Sequence, residues 1–166
     1  MLWLRGIIFT VLIPGSVAWL LPQWLRQGRP PAGGLWSLGW LVFALGATIY
    51  ALCLVAFLRS GGTPIIFFMR PFPPVRFLLG EEPNGLVENG LYRYSRNPMY
   101  LGVLTAVFGQ AIAYRAAPIA GYGAAAAIVF HLVVVLIEEP HLTRTQGPEY
   151  EAFCRRVPRW IGRPRA

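Results

Sequence analysis

Two short polar segments lie beside long apolar stretches, and their residue types suit the binding of a charged ligand. One is the run Arg93–Gly102, and the other is the triplet Glu138-Glu139-Pro140. Ionisable groups at membrane depth usually mark a functional site. The first segment opens an apolar run and the second closes one, so we expect both at the same water–lipid boundary. A charged ligand could meet a lipid-soluble molecule there.

The glutamate pair follows His131 by seven and eight residues in the same apolar run. A period of 3.6 residues places His131 and Glu138 on one helix face, about two turns apart, where they could line one groove. A packing role for the histidine is the alternative, and His141 lies beyond the glutamates. The glutamates could instead extend into water at a helix end, but the macrodipole disfavours two negative charges there. This placement favours a cationic partner.

The other segment has the features of a helix start that also binds an anion. Pro98 fits the first turn, Asn97 is a good N-cap, and Gly102 allows close approach of backbone or ligand. Hydroxyl and guanidinium groups come from Tyr92, Arg93, Tyr94, Arg96 and Tyr100. Arginines beside a helix N-terminus suit a carboxylate or phosphate. Together the two segments offer partners for an anion, a cation and hydroxyl groups, and S-adenosylmethionine presents all three.

The chain that carries these segments is too apolar for a soluble globule. Hydrophobic residues make up 55% of its 166 residues and charged residues 13%, which indicates an integral membrane protein of one domain. All 15 basic residues are arginine, and they flank apolar spans, which argues against nucleic-acid binding despite a net charge of +8. Cys53 and Cys154 lie in different environments, so neither a disulfide nor a metal site is expected.

Four apolar segments predict an all-α membrane domain. They are Gly6–Trp24, Leu35–Leu58, Pro98–Tyr114 and Ala116–Ile137, each close to the length that crosses a bilayer. The first is interpreted as an uncleaved helix, with a signal peptide as the alternative. A tight turn at Arg115 predicts that the last two form an antiparallel hairpin. Twelve arginines fall on the side of both termini and three on the other, so the positive-inside rule predicts cytoplasmic termini and a cytoplasmic site.

The single domain, residues 1–166, divides into three parts. Residues 1–60 contain the first two spans, 61–90 form an apolar, proline-broken loop, and 91–166 contain the hairpin and C-terminal helices. We expect the loop to lie in the membrane interface, either packed on the bundle or as a lipid-facing gate. Pro140 suits the start of a new helix, which Gly147 would end. Beyond it, a stripe predicts a cytoplasmic amphipathic helix: Tyr150, Phe153, Cys154 and Val157.

Several separated motifs occur between Leu86 and Trp160. They are Leu86-Val87-x-x-Gly90-x-Tyr92-Arg93-Tyr94-x-Arg96-Asn97-Pro98-x-Tyr100-x-Gly102, His131, Glu138-Glu139-Pro140-x-Leu142, Gly147-x-x-Tyr150 and Val157-Pro158-Arg159-Trp160. In order and spacing this set resembles the isoprenylcysteine carboxyl methyltransferase and phospholipid N-methyltransferase superfamily. The resemblance covers nearly half of the chain. It implies a membrane enzyme that binds S-adenosylmethionine between its last two helices and the C-terminal segment.

The resemblance also implies roles for individual residues. Arg96, Asn97 and Tyr100 would be the catalytic residues. The implied cofactor-binding residues are Tyr94, Asn97, Pro98, Tyr100, Gly102, His131, Glu138 and Glu139. The commonest family form has histidine at the position of Asn97. Because asparagine does not titrate near neutral pH, a mechanism that needs a base at this position is not expected.

The sequence therefore predicts methyl transfer from S-adenosylmethionine, with S-adenosylhomocysteine as product, by in-line displacement. The expected partners are the lipid bilayer and a lipophilic acceptor that offers a carboxylate, an amine or a thiol. Two other classes remain open. A haem- or quinone-binding membrane subunit would need paired axial ligands, and a non-enzymatic scaffold or transporter subunit could use the same four spans.

Overall fold

The computed structural model describes residues 2–64, 83 and 85–162 of the chain, and these residues form helices and connecting turns without a strand. The helices are α1 (Leu2–Leu12), α2 (Leu21–Leu25), α3 (Gly34–Arg59), α4 (Pro98–Ala113), α5 (Ala117–Val133), α6 (Glu139–Gln146) and α7 (Pro148–Arg156). Three helical runs are long and apolar enough to cross a membrane: Leu2–Leu25, Gly34–Arg59 and Ala117–Gln146. The predicted all-α membrane fold is confirmed.

The third predicted span, which the structure contains as α4, is the shortest. Its 16 residues cover about 24 Å, which is less than the ~30 Å of a typical hydrocarbon core. Its first residue, Pro98, is buried in the protein. The start of this short helix is therefore covered by other parts of the protein.

The first helical run is interrupted where Pro14 removes a backbone donor. A π-helical segment, Ser16–Leu20, joins α1 to α2. Carbonyl groups in this region accept hydrogen bonds from side chains of other helices: Gln110 Nε2 donates to Ala18 O at 2.5 Å and Tyr122 Oη to Val17 O at 3.0 Å. Backbone groups in a bilayer need such internal partners, so these two bonds tie the first span to α4 and α5.

Helices α3 and α4 approach each other closely through small residues. A Cβ atom added at Gly102 would lie 2.8 Å from the backbone nitrogen of Tyr50 and 2.9 Å from the carbonyl oxygen of Gly46. Gly39 and Gly109 make equally close backbone approaches in the same interface. Small residues permit such packing between membrane helices. The sequence predicted the α4–α5 hairpin, and the three-residue turn at Tyr114–Ala116 produces it. The close contact between α3 and α4 was not predicted.

The helix that contains the two glutamates does not end there, contrary to the expectation from the sequence. Helix α5 continues through a π-helical segment, Val134–Glu138, into α6, so that Ala117–Gln146 is one run of 30 residues. The C-terminal end of the helix dipole thus lies beyond Glu139, near Gly147, whose φ of 52° ends the run. The two glutamates therefore do not lie at the negative end of the helix dipole, and the argument from the macrodipole does not apply to them.

The predicted amphipathic helix is present as α7. Its apolar stripe is buried, since Tyr150, Phe153 and Val157 form a cluster with Leu86 and Leu142. This packing fixes the C-terminal segment against α6 and the chain that precedes α4. The predicted interfacial stretches at Ile65–Phe68 and Phe77–Leu79 lie outside the described residues.

Candidate functional site

The polar residues of both predicted segments meet at one end of the bundle, where α3 and α5 end and α4 begins. A cavity opens among them. Its polar lining comes from Tyr92, Arg96, Asn97, Tyr100, Glu138, Glu139 and Tyr150, and part of its apolar lining from Phe9, Ile13, Pro14, Val17, Val103, Phe130 and Val134. The cavity therefore joins charged groups to a hydrocarbon wall that the first span helps to form.

A short 3₁₀ turn, Gly90–Arg93, positions the chain before α4. Tyr92 is buried and its ring packs edge-on against Phe57, with centroids 5.6 Å apart. Burial raises the pKa of Tyr92 well above its ordinary value, so its hydroxyl group stays neutral. This anchor holds the end of α3 against the start of α4.

Glu138 lies on the cavity wall and accepts a hydrogen bond from the hydroxyl group of Tyr100. The ring of Tyr100 packs on Phe130 at a centroid distance of 4.7 Å, which fixes its orientation. Among the described residues, Glu138 has no ion pair with an arginine. Its carboxylate is therefore oriented by a neutral donor and keeps acceptor capacity for a ligand.

Glu139, the next residue, is occupied by two arginines. Arg159 donates to both of its oxygens, from Nε to Oε1 at 2.7 Å and from Nη2 to Oε2 at 2.8 Å. Arg96 Nη1 donates to the same Oε1 at 2.8 Å. The hydrogen bond to Glu139 raises the pKa of Arg159 further, so its guanidinium group stays charged. Charge-assisted bidentate bonds of this kind are the strong ones, and they bind the C-terminal segment to α6.

Arg96 is the most buried arginine of this network, with 11% of its side chain exposed. Its Nη1 also lies 3.3 Å from the Tyr150 hydroxyl oxygen and 2.8 Å from Cys154 Sγ. Burial raises the pKa of Tyr150, so that group remains a neutral phenol beside the guanidinium. The Nε of Arg96 is buried and has no hydrogen-bond partner among the described residues. One donor of the site is thus left for a ligand.

Asn97 precedes α4 as its N-cap residue, as predicted, but its side chain does not cap the helix. Asn97 Nδ2 instead donates to the carbonyl oxygen of Arg159 at 3.0 Å, and the backbone nitrogen of Arg96 donates to Pro158 O at 2.9 Å. The side chain is used to fasten the C-terminal segment because that segment passes directly over the helix start.

Other predicted site residues lie apart from this set. His131 is exposed, and its Nδ1 accepts a bond of 3.2 Å from Trp160 Nε1. Tyr94 is 60% exposed. Gly102 packs against α3, so its close approach is to backbone and not to the cavity. None of these three lines the cavity, whereas Pro98 is buried at the start of α4 without reaching it.

Two residues enter the site without having been singled out for it. Arg159 binds Glu139, and Tyr150 lines the cavity beside Arg96. The sequence places Tyr150 in an apolar stripe and in the motif Gly147-x-x-Tyr150, but does not predict it as a site residue. Both stand in the C-terminal motifs, so the signal was present in the sequence, but their contacts depend on how α7 folds back.

The fold and the cavity define a class: a multi-pass membrane protein in which charged side chains and an apolar wall share one site. The family model for phospholipid methyltransferases matches residues 37–149. The chain belongs to this phospholipid methyltransferase family, which supports a methyltransferase role on lipid-like substrates. The chain matches no curated protein and no solved structure. The matched range contains Arg96, Tyr100 and both glutamates, and it ends before Arg159.

Proposed function

We propose that this protein transfers a methyl group from S-adenosylmethionine to a lipophilic acceptor that reaches the site from the bilayer. The observation that carries the proposal is the mixed lining of the cavity, with Glu138, Glu139 and Arg96 at one end and side chains of the first span at the other. A charged cofactor and an apolar acceptor need these two environments side by side. The membership of the family supports the same reaction class.

The residues present fit the cofactor. Glu138 offers an acceptor for its ammonium group or ribose hydroxyls, and the free Nε of Arg96 offers a donor for its carboxylate. Tyr100 orients Glu138, and Asn97 holds the segment that closes the site. Bound there, the cofactor supplies a methyl group on a positively charged sulfur.

The division between the two glutamates refines the prediction from the sequence, which assigned both to the cofactor. Glu139 already balances two guanidinium groups, so its role in the proposal is to position Arg96 and Arg159. Glu138 is the carboxylate that touches the ligand. Displacement at a sulfonium needs no covalent enzyme intermediate, so positioning and the exclusion of water are the main tasks of the chain.

The acceptor would occupy the apolar part of the cavity. Tyr50 lies in this part, where its hydroxyl group and that of Thr10 are 2.9 Å apart and satisfy each other. The remaining wall is apolar and suits a hydrocarbon chain, while the nucleophile of the acceptor, a carboxylate, amine or thiol, would face the end of the cavity where Glu138 and Arg96 would hold the cofactor. The predicted four-span topology assigns twelve of the 15 arginines to the side of both termini, so the proposal has the site and both termini in the cytoplasm.

Calorimetric titration of S-adenosylmethionine and S-adenosylhomocysteine into the protein in detergent and in lipid nanodiscs tests the proposal. We expect saturable binding that weakens at least about tenfold in Glu138→Gln, since one charged contact is lost. The matched control is Glu149→Gln, because Glu149 is exposed on α7 outside the cavity. If the folded wild type binds neither nucleoside in either medium, the scaffold interpretation takes the place of the enzyme. A visible absorbance band in the purified protein would favour a haem subunit instead.

A further inference from the structure

A second cavity, beside the C-terminal segment, is lined by arginines. Arg96, Arg155, Arg156 and Arg159 all contribute to its wall. The other lining residues are Cys154, Val157, Pro158, Ile161 and Gly162, so no carboxylate lines it among the described residues. Four cations converge here, and of these only Arg96 also lines the methyl-transfer cavity.

The charges around this cavity are only partly balanced. Arg159 and Arg96 share the carboxylate of Glu139, and Arg156 Nη2 binds Glu88 at 3.0 Å and 3.3 Å. Within the part of the chain that the structure describes, four guanidinium groups thus meet two carboxylates, which is an excess of two positive charges. The helix macrodipole accounts for Arg155 and Arg156 in the last turn of α7. It does not account for Arg96 and Arg159, which lie outside that helix.

The rim of the cavity has the character of a membrane interface. Ile161 lines it and is 85% exposed, although it is a large apolar residue. Apolar side chains next to arginines are typical of protein surfaces that meet the headgroup region of a bilayer. A planar guanidinium matches the oxygens of a phosphate group in two parallel hydrogen bonds.

We propose that this cavity of Arg96, Arg155, Arg156 and Arg159 is a phosphate-binding site, for the phosphate of a lipid headgroup or for a free phosphate anion. Among the described residues, its lining shares only Arg96 with the methyl-transfer cavity. The proposal does not depend on methyl transfer, because Arg155 and Arg156 have no part in that cavity.

Thermal unfolding of the full chain in maltoside micelles, which contain no phosphate, tests the site. Inorganic phosphate is compared with chloride at equal ionic strength, and phosphatidylglycerol is added to the micelles in a separate series. We expect a saturable rise of the unfolding temperature with at least one of these probes. In Arg155→Gln the half-saturating concentration should increase about tenfold, because one charge-assisted contact is lost.

The matched control is Arg144→Gln, which removes the same charge from an exposed position on α6 outside the cavity. It should bind like the wild type. A response to phosphatidylglycerol alone identifies a lipid headgroup, and a response to inorganic phosphate identifies a free anion. Phosphate also stabilises proteins non-specifically by exclusion from their surface. The proposal is therefore overturned if neither probe gives a saturable rise, or if Arg155→Gln responds as strongly as Arg144→Gln.

Discussion

Replacing Glu139 by glutamine would remove the charge that holds two arginines together beneath the C-terminal segment. Three hydrogen bonds of 2.7–2.8 Å end on this carboxylate. Glutamine keeps the shape but cannot neutralise Arg96 and Arg159, which both contact Oε1. The change therefore leaves two neighbouring cations without their counter-ion.

The magnitude follows from the burial of the three groups. The loss of one partner of a buried ion pair costs about 3–5 kcal/mol. Arg96 and Glu139 are 11% and 17% exposed, so this range applies to their half of the network. Arg159 is 36% exposed, and solvent reduces its share to about 1 kcal/mol or less. We expect a total of about 3–6 kcal/mol, which lowers the unfolding temperature of a chain of this size by at least about 6 °C.

The assay is thermal unfolding in lipid nanodiscs, followed by tryptophan fluorescence at one scan rate, because irreversible unfolding makes the midpoint depend on that rate. Glu149→Gln, on the exposed first turn of α7, is the control and should stay close to the wild type. A double-mutant cycle with Arg159→Gln should give a coupling energy of about 0.5–1 kcal/mol. The reasoning is refuted if Glu139→Gln unfolds within about 2 °C of the wild type, or if the two changes are additive.

Two further predictions concern the helix interface and the chemistry of the acceptor. Gly102→Ala should destabilise the protein by about 1–3 kcal/mol in the same unfolding assay, because the new methyl group would meet the backbone of α3. Gly121→Ala, where a Cβ meets nothing within 4 Å, should have little effect, and equal loss in both variants would contradict the steric argument. With an amine acceptor, the methylation rate should rise from about pH 6 to pH 9, since a protonated amine has no lone pair to attack with. Burial raises the pKa of Tyr92 and Tyr150, so both phenols stay neutral over this interval, and a flat profile would refute rate-limiting loss of the acceptor's proton.

Composition and periodicity predicted the elements of this fold because each is a local property of the chain. The apolar runs became helices, and the stripe of Tyr150, Phe153 and Val157 became the buried face of α7. The α3–α4 interface was not predicted, although its small residues recur at a spacing of seven, as in Gly39 and Gly46. A glycine allows a neighbouring helix to pack closely against it, but the sequence does not identify which helix is that neighbour.

The position of His131 relative to Glu138 depends on a π-helical segment, which a regular period of 3.6 residues does not predict. The period of 3.6 residues placed it on one face with Glu138. The structure contains a π-helical segment between them, Val134–Glu138, which has a longer turn and changes the phase of the helix. Glu138 consequently lines the cavity while His131 lies outside it against Trp160.

The two glutamates were interpreted from the sequence as one acidic unit, yet adjacent residues on a helix point about 100° apart. Because of that angle, Glu139 points to the C-terminal segment and accepts hydrogen bonds from Arg159. Glu138 points to the cavity, where the hydroxyl group of Tyr100 orients it. The negative charge of Glu139 is neutralised by the guanidinium groups of Arg96 and Arg159. Glu138 contacts only the neutral phenol of Tyr100 among these groups, so its charge can still attract a cation. In the proposed function, the same dipeptide would therefore have two tasks: Glu139 would hold the C-terminal segment, and Glu138 would provide the charge for a cationic ligand.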